Sequence, residues 1–167
     1  MPPAARIFDP VLHPLPPVLT GGPTAITVII GFLPAWRGIG AAGAGAIEGG
    51  KIDSEIRIKK AELATEAAKK LGNPTAIAAA ELNEAKVKLE ESIGMATKIM
   101  QAAAMTDIHV CATLLPLPPH GPGVVTKPSK TVIVAGQPAA RQGDEITEAI
   151  GPPNFIAMGC PTVMIGG

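Results

Sequence analysis

Aromatic residues are almost missing from this chain: 2% of 167 residues, with one Trp, three Phe and no Tyr. A large core built on buried rings is therefore excluded. Cysteine is as sparse, and two residues cannot make the disulfide framework of a small secreted scaffold. Formal net charge is zero, with no basic run and no aromatic interleaving, which argues against a nucleic-acid partner. No basic segment precedes an apolar run at the start; Met1 leads straight into Pro2-Pro3-Ala4-Ala5-Arg6. A cleavable secretory signal is not expected. Synthesis and assembly in the cytoplasm follow, with any export by a route that needs no signal peptide.

Long hydrophobic runs are lacking too. The apolar region from Thr24 to Ile47 is broken by Pro34, Arg37 and glycines 31, 38, 40, 43 and 45. A membrane helix needs roughly 20 continuous apolar residues, so Ile39 to Gly50 reads as a flexible or packed connector. Membrane contact by residues 24–50 is left open. Catalytic signatures are missing as well. There is no G-x-S-x-G, and no glycine loop between a strand and a helix to cradle phosphate. Glu145 and Glu148 read as solvated carboxylates in a loop from Glu145 to Phe155. No enzyme is expected.

Glycine and proline are abundant, 37 together, and unevenly placed. Residues 49–106 hold five of them, whereas 17 of the 28 charged residues fall between Lys51 and Lys98. This predicts a Gly/Pro-rich, weakly charged β shell interrupted by a charged helical insert. Lys51–Leu71 and Thr75–Met105 read as its two helices. Gly72-Asn73-Pro74 lies between them, glycine ending one and proline starting the next. Ala78, Leu82, Ala85, Leu89, Ile93, Ala96, Met100 and Ala103 form a near-heptad stripe on the second helix. Ile52, Ile56, Leu63, Ala67 and Leu71 form a shorter one on the first. Glu55/Lys59, Glu66/Lys70 and Glu84/Lys88 are i,i+4 pairs in the favourable order. An antiparallel hairpin projecting from the β body is expected, serving as a spacer, an oligomer contact or a docking surface for cargo or a chaperone.

The β part repeats itself. Thr131–Asp144 reads T-V-I-V-A-G-Q-P-A-A-R-Q-G-D, a β-branched run, a turn and a Pro-Ala-Ala-Arg step. Thr27–Gly38 reads T-V-I-I-G-F-L-P-A-W-R-G. It lacks the Gly-Asp after the arginine, so its turn is expected to differ. Thr162–Gly167 continued by Met1–Asp9 gives T-V-M-I-G-G-M-P-P-A-A-R-I-F-D. A unit split across the ends predicts neighbouring termini and three like units around one axis. His13–Leu19 is too proline-rich for a helix, and Thr20-Gly21-Gly22-Pro23 reads as a turn.

All three histidines lie in the β part. His13, His109, His120 and Cys160 would complete a tetrahedral zinc site with no open position, which is structural rather than catalytic chemistry. Cys111 shares a strand face with His109 and is the competing thiolate, able to replace His109 or Cys160. The C-x₂-C spacing of a strong zinc signature is missing.

Pro138-Ala139-Ala140-Arg141 resembles the naming motif of the PAAR family, which caps the trimeric spike of type VI secretion and related contractile injection systems. Ala4-Ala5-Arg6-x-x-Asp9-x-x-x-His13 resembles the separate prePAAR pattern at all its specified positions. The resemblance covers residues 1–38 and 106–167, leaving 39–105 as connector and insert. It implies a mainly β, conical structure with pseudo-threefold repeat. It also implies a zinc ion held by His13, His109, His120 and Cys160, and a trimeric spike protein at the cone base. The implied role is a non-enzymatic tip, assembled in the bacterial cytoplasm and then injected, that aids membrane puncture and effector delivery. The other role is an effector or cargo adaptor whose hairpin binds a toxin or chaperone. Related proteins often carry transmembrane helices at the insert; this insert is too charged for that.

Overall fold

The computed structural model describes residues 1–13, 17–22, 24–103, 105–114 and 119–167. The proline-rich stretches read after His13 and before His120 lie partly outside the described residues. In chain order the elements are β1 (Pro3–Ala4), β2 (Gly21–Gly22), β3 (Ala25–Ile30), β4 (Leu33–Ala35), α1 (Ala41–Leu71) and α2 (Pro74–Ala102). Then come β5 (Ile108–Leu114), β6 (Pro119–Val125), β7 (Ile133–Val134), β8 (Gln137–Pro138), β9 (Glu145–Glu148), β10 (Asn154–Phe155) and β11 (Cys160–Met164).

Each repeat unit is a short antiparallel pair: β3–β4, β7–β8, and β11–β1, which joins the two ends of the chain. Gly31-Phe32 and Ala135-Gly136 turn two of the pairs with φ of 51°, 69°, 46° and 80°. Two successive left-handed residues match the twist of flanking strands. The three Pro-Ala-x-Arg steps then close on one another. Ala5 N–H donates to Ala140 O, Ala140 N–H to Trp36 O and Trp36 N–H to Ala5 O, each at 2.9 Å. A second ring runs from Ile7 to Pro34 (3.0 Å), Gly38 to Pro138 (2.8 Å) and Gln142 to Pro3 (2.9 Å). Both rings use equivalent positions of the three units, so the pseudo-threefold is written in backbone hydrogen bonds. Alanines fill the crowded axis because three backbones converge there: Ala4, Ala35 and Ala139 in one buried cluster, Ala5 and Ala140 in the next with Trp36.

Each arginine is met by an aspartate. Asp9 Oδ2 accepts the Arg6 backbone N–H at 2.7 Å, and Asp144 Oδ2 accepts that of Arg141 at 2.7 Å. The second unit does not differ as its sequence suggested. Asp107 Oδ2 accepts the Arg37 backbone N–H at 2.8 Å, and Asp107 Oδ1 takes its guanidinium at 2.8 Å. The helical hairpin has been inserted between the arginine and the aspartate of one unit.

The remaining strands form one sheet in the order β10-β9-β6-β5-β2. Two local readings are corrected here. Gly21 and Gly22 are extended and pair with β5 instead of turning; a Cβ on Gly21 would sit 2.1 Å from Ile108 O. The segment from Glu145 to Phe155 contains β9 and β10 rather than a plain loop. Its strand signal, Ile146-Thr147, is two residues long, and pairing with β6 supplies the rest.

The connector is also corrected: α1 starts at Ala41, taking in the Ala/Gly-rich stretch. Helix holds there because Ile39, Ala44 and Ile47 are buried against Met95, Ile99, Val124 and Ala149, and packing outweighs the poor propensity of glycine. Gly72 ends α1 with φ 72°, and Asn73 Oδ1 caps α2 by accepting from Thr75 and Ala76 N–H. Away from the body the seam is small and polar. Ala61, Thr65 and Ser92 are buried, and Arg57–Glu91 (2.9 Å) and Lys88–Glu62 (3.1 Å) cross between helices. Of the expected i,i+4 pairs, Glu84–Lys88 forms at 2.6 Å, while Lys59 turns to Glu62 at 3.5 Å. The apolar stripes point outward: Leu82, Leu89, Ile93 and Met100 on α2, and Ile52, Ile56 and Leu63 on α1, are all about half or more exposed. No helix among the described residues is long and apolar enough to cross a membrane.

Candidate metal centre

The central strands of the sheet set the site. On β5, His109 and Cys111 stand on one face, opposite Gly123 and Gly121 of β6. Gly123 also pairs with Glu148 of β9, so glycine lies between a histidine and a carboxylate. A Cβ at Gly123 would come within 2.8 Å of Glu148 Cγ. The bare glycines leave a hollow that the neighbouring side chains fill. His13 arrives from the N-terminal segment, two residues beyond Val11, which bridges to Ile156.

His13 Nε2 and His109 Nε2 are 2.9 Å apart. Glu148 Oε1 lies 3.2 Å from His13 Nε2 and 3.9 Å from His109 Nε2. With Cys111, one donor atom from each of these residues falls within 4.8 Å of the others. Glu148 and His109 are each 1% exposed. Burial, then the neighbouring His13, pushes the His109 pKa down to about 4, so its ring is neutral with a lone pair available at neutral pH.

These residues fit a divalent ion. Around a tetrahedral centre with bonds of about 2.1 Å the donors stand roughly 3.4 Å apart, within the spread seen here. Glu148 Oε1 is buried with no hydrogen-bond partner, an arrangement that costs free energy unless a cation stands before it.

The structure brings His13 and His109 together with Cys111, the competing thiolate, and with Glu148. His120 stands beside them, bonded through Nδ1 to Glu148 Oε2 at 2.6 Å. Cys160 is not brought to this point. Its strand pairs with β1, which places it in the cluster of Ala4, Ala25, Ile30 and Ala35, within 3.3 Å of Thr162 Oγ1. Cys111 takes its place because it shares the His109 face. Glu148 is the residue sequence reasoning missed. Read as solvated, it is carried inward by β9, and the Glu-Ile-Thr-Glu pattern was its faint signal. Cys111→Ser is expected to lower bound metal at least tenfold by mass spectrometry, with Cys160→Ser unchanged; the reverse ranking would move the site.

The fold is a small β body of three like hairpins around one axis, with a buried cluster of donors beyond its core that could hold a metal ion. Residues 116–167, about a third of the chain, match the family model described as PAAR motif. No curated protein and no solved structure matches the chain.

Proposed function

We propose that this protein is the zinc-stabilised tip that caps the trimeric spike of a type VI secretion or related contractile injection system. The observation that carries this reading is the pair of three-membered hydrogen-bond rings. They give a single chain three equivalent faces, which is what one cap on a three-fold end requires. The PAAR motif supports the same reading. Residues 1–13 serve as the prePAAR segment, contributing His13 to the metal centre. Zinc, when bound, supplies closed tetrahedral ligation that ties the N-terminal segment to the sheet, and the role is non-catalytic. The three hairpins carry exposed apolar side chains, Phe32 at 97%, Ile133 at 59% and Met164 at 49%, suited to covering the ends of spike strands. The test mixes purified full chain with the trimeric spike protein from its own gene neighbourhood. One chain per trimer by native mass spectrometry, lost in Phe32→Asp/Ile133→Asp, is expected. Failure to bind, or three chains per trimer, overturns the reading.

A second reading is favoured by the outward stripes: the hairpin is a cargo adaptor and the cone its vehicle. Deleting the insert would uncover Val124 and Ala149 of the shared core, so point changes are cleaner. Leu89→Glu/Ile93→Glu should leave thermal stability within a few degrees, since exposed substitutions cost little. Under this reading, delivery of one cargo stops while spike binding persists. Unchanged delivery of every cargo would exclude it.

A further inference from the structure

His120 is expected from the family resemblance to be a metal ligand, yet its Nδ1 is bonded to Glu148. Nδ1 lies 2.6 Å from Glu148 Oε2. A carboxylate can only accept, so Nδ1 carries the proton and donates. Nε2 stands beside Gly151, where an added Cβ would lie 3.0 Å from it; Gly151 has φ 87°. His120 is not among the donors that converge with His13 and His109, whereas Glu148 is.

We propose that in this chain the metal is held by His13, His109, Cys111 and the Glu148 carboxylate, and that His120 is the positioning residue that presents Glu148. The inference rests on the metal centre of the proposed function and assigns its ligands. Three further observations support it. Lys51 Nζ donates to Glu148 O at 3.0 Å, pinning the backbone of β9 from α1. Gly123 leaves the space through which the Glu148 side chain passes. Oε2 is occupied by His120, while Oε1, facing His13, has no hydrogen-bond donor.

Charge favours the same assignment. A thiolate and the Glu148 carboxylate together neutralise a divalent cation, and direct ligation by Glu148 puts the opposite charges in contact. His109, Cys111, His120 and Glu148 are each at most 7% exposed, and an unbalanced charge in such a place is costly. Ligating carboxylates are themselves commonly held by an outer hydrogen bond, whose loss lowers metal affinity about 10–100-fold.

The test uses the full chain loaded with one equivalent of zinc, with affinity measured by competition against a chromophoric chelator and ligand type by X-ray absorption at the zinc edge. Absorption should fit two imidazoles, one sulfur and one oxygen. Glu148→Gln and His109→Ala should each weaken binding more than 100-fold. His120→Ala should weaken it about 10–100-fold, and His120→Gln, whose amide still donates to Glu148, should recover most of the loss. Three imidazoles in wild type, or full affinity in Glu148→Gln, would overturn the assignment while leaving the metal centre standing. No tightly bound zinc in wild type would overturn both. The wild-type absorption measurement decides the question even if a variant fails to fold.

Discussion

Asp107→Ala should cost about 3–5 kcal/mol of unfolding free energy, the loss typical of breaking one partner out of a buried ion pair. Asp107 is fully buried and its partner Arg37 is 6% exposed. Removing the carboxylate takes away the acceptor for both the Arg37 backbone N–H and its guanidinium. The equivalent changes at the other two corners should cost less. The Arg6 and Arg141 side chains are 17% and 14% exposed against 7% for Arg37, so water compensates them more readily. Burial pushes the Asp107 carboxyl above the usual carboxylate range, against the downward pull of Arg37. The pair therefore serves corner geometry more than net stability, and Arg37→Met/Asp107→Leu should recover part of the loss. Urea unfolding of the full chain at neutral pH measures all four proteins. Equal losses for Asp107→Ala and Asp144→Ala would mean that the corner closed across the insert has no special weight.

That corner also shows what the sequence could and could not disclose. The three Pro-Ala-x-Arg steps are contiguous strings, so the repeat, its closure through the termini and the pseudo-threefold were legible from residue order. The aspartate of the second unit was not, because 70 residues separate it from its arginine and no local pattern links them. The turn between the helices was legible from Gly72-Asn73-Pro74, but the start of α1 was not, because the nearly uncharged stretch from Ala41 to Gly50 joins it. The insert's orientation was not legible either: the heptad stripe marks a helix face, but whether that face meets the other helix or solvent depends on the partner. Here small and polar residues, Ala61, Thr65 and Ser92, make the seam. Of the candidate donor cluster, half was legible. His13 and His109 follow from chemistry and resemblance. Choosing between Cys111 and Cys160 needed to know which strand face each occupies, and Glu148 needed β9, a strand made by pairing with β6 rather than by its own propensity.

Stripped of metal, the protein should lose stability steeply as pH falls from about 6.5 to about 4. The His109 pKa is about 4 in the fold and 6.5 as a free side chain. Across that window the unfolded chain binds a proton that the folded chain refuses, so the unfolded state gains. The contribution is fully present above pH 6.5 and lost on acidification, amounting to roughly 3 kcal/mol from a shift of this size. The groups around the ring set the detail: His13 beside it, Glu148 across the hollow and Cys111 on the same strand. Zinc acts on the same balance from the other side. At a free concentration one hundred times its dissociation constant, a ligand that binds only the folded state adds about 2.7 kcal/mol. Its binding needs the same nitrogen lone pair, so that gain also fades with acid. Urea unfolding of chelator-treated protein at pH 7.5, 5.5 and 4.5, with and without added zinc, separates the two effects. The metal-free curve should fall with pH, and the zinc-loaded curve should lie above it and converge on it at the acid end. A metal-free curve level from pH 7.5 to 4.5 would mean that burial does not hold His109 neutral. The lone pair assigned to the metal would then have to be won from a proton at neutral pH.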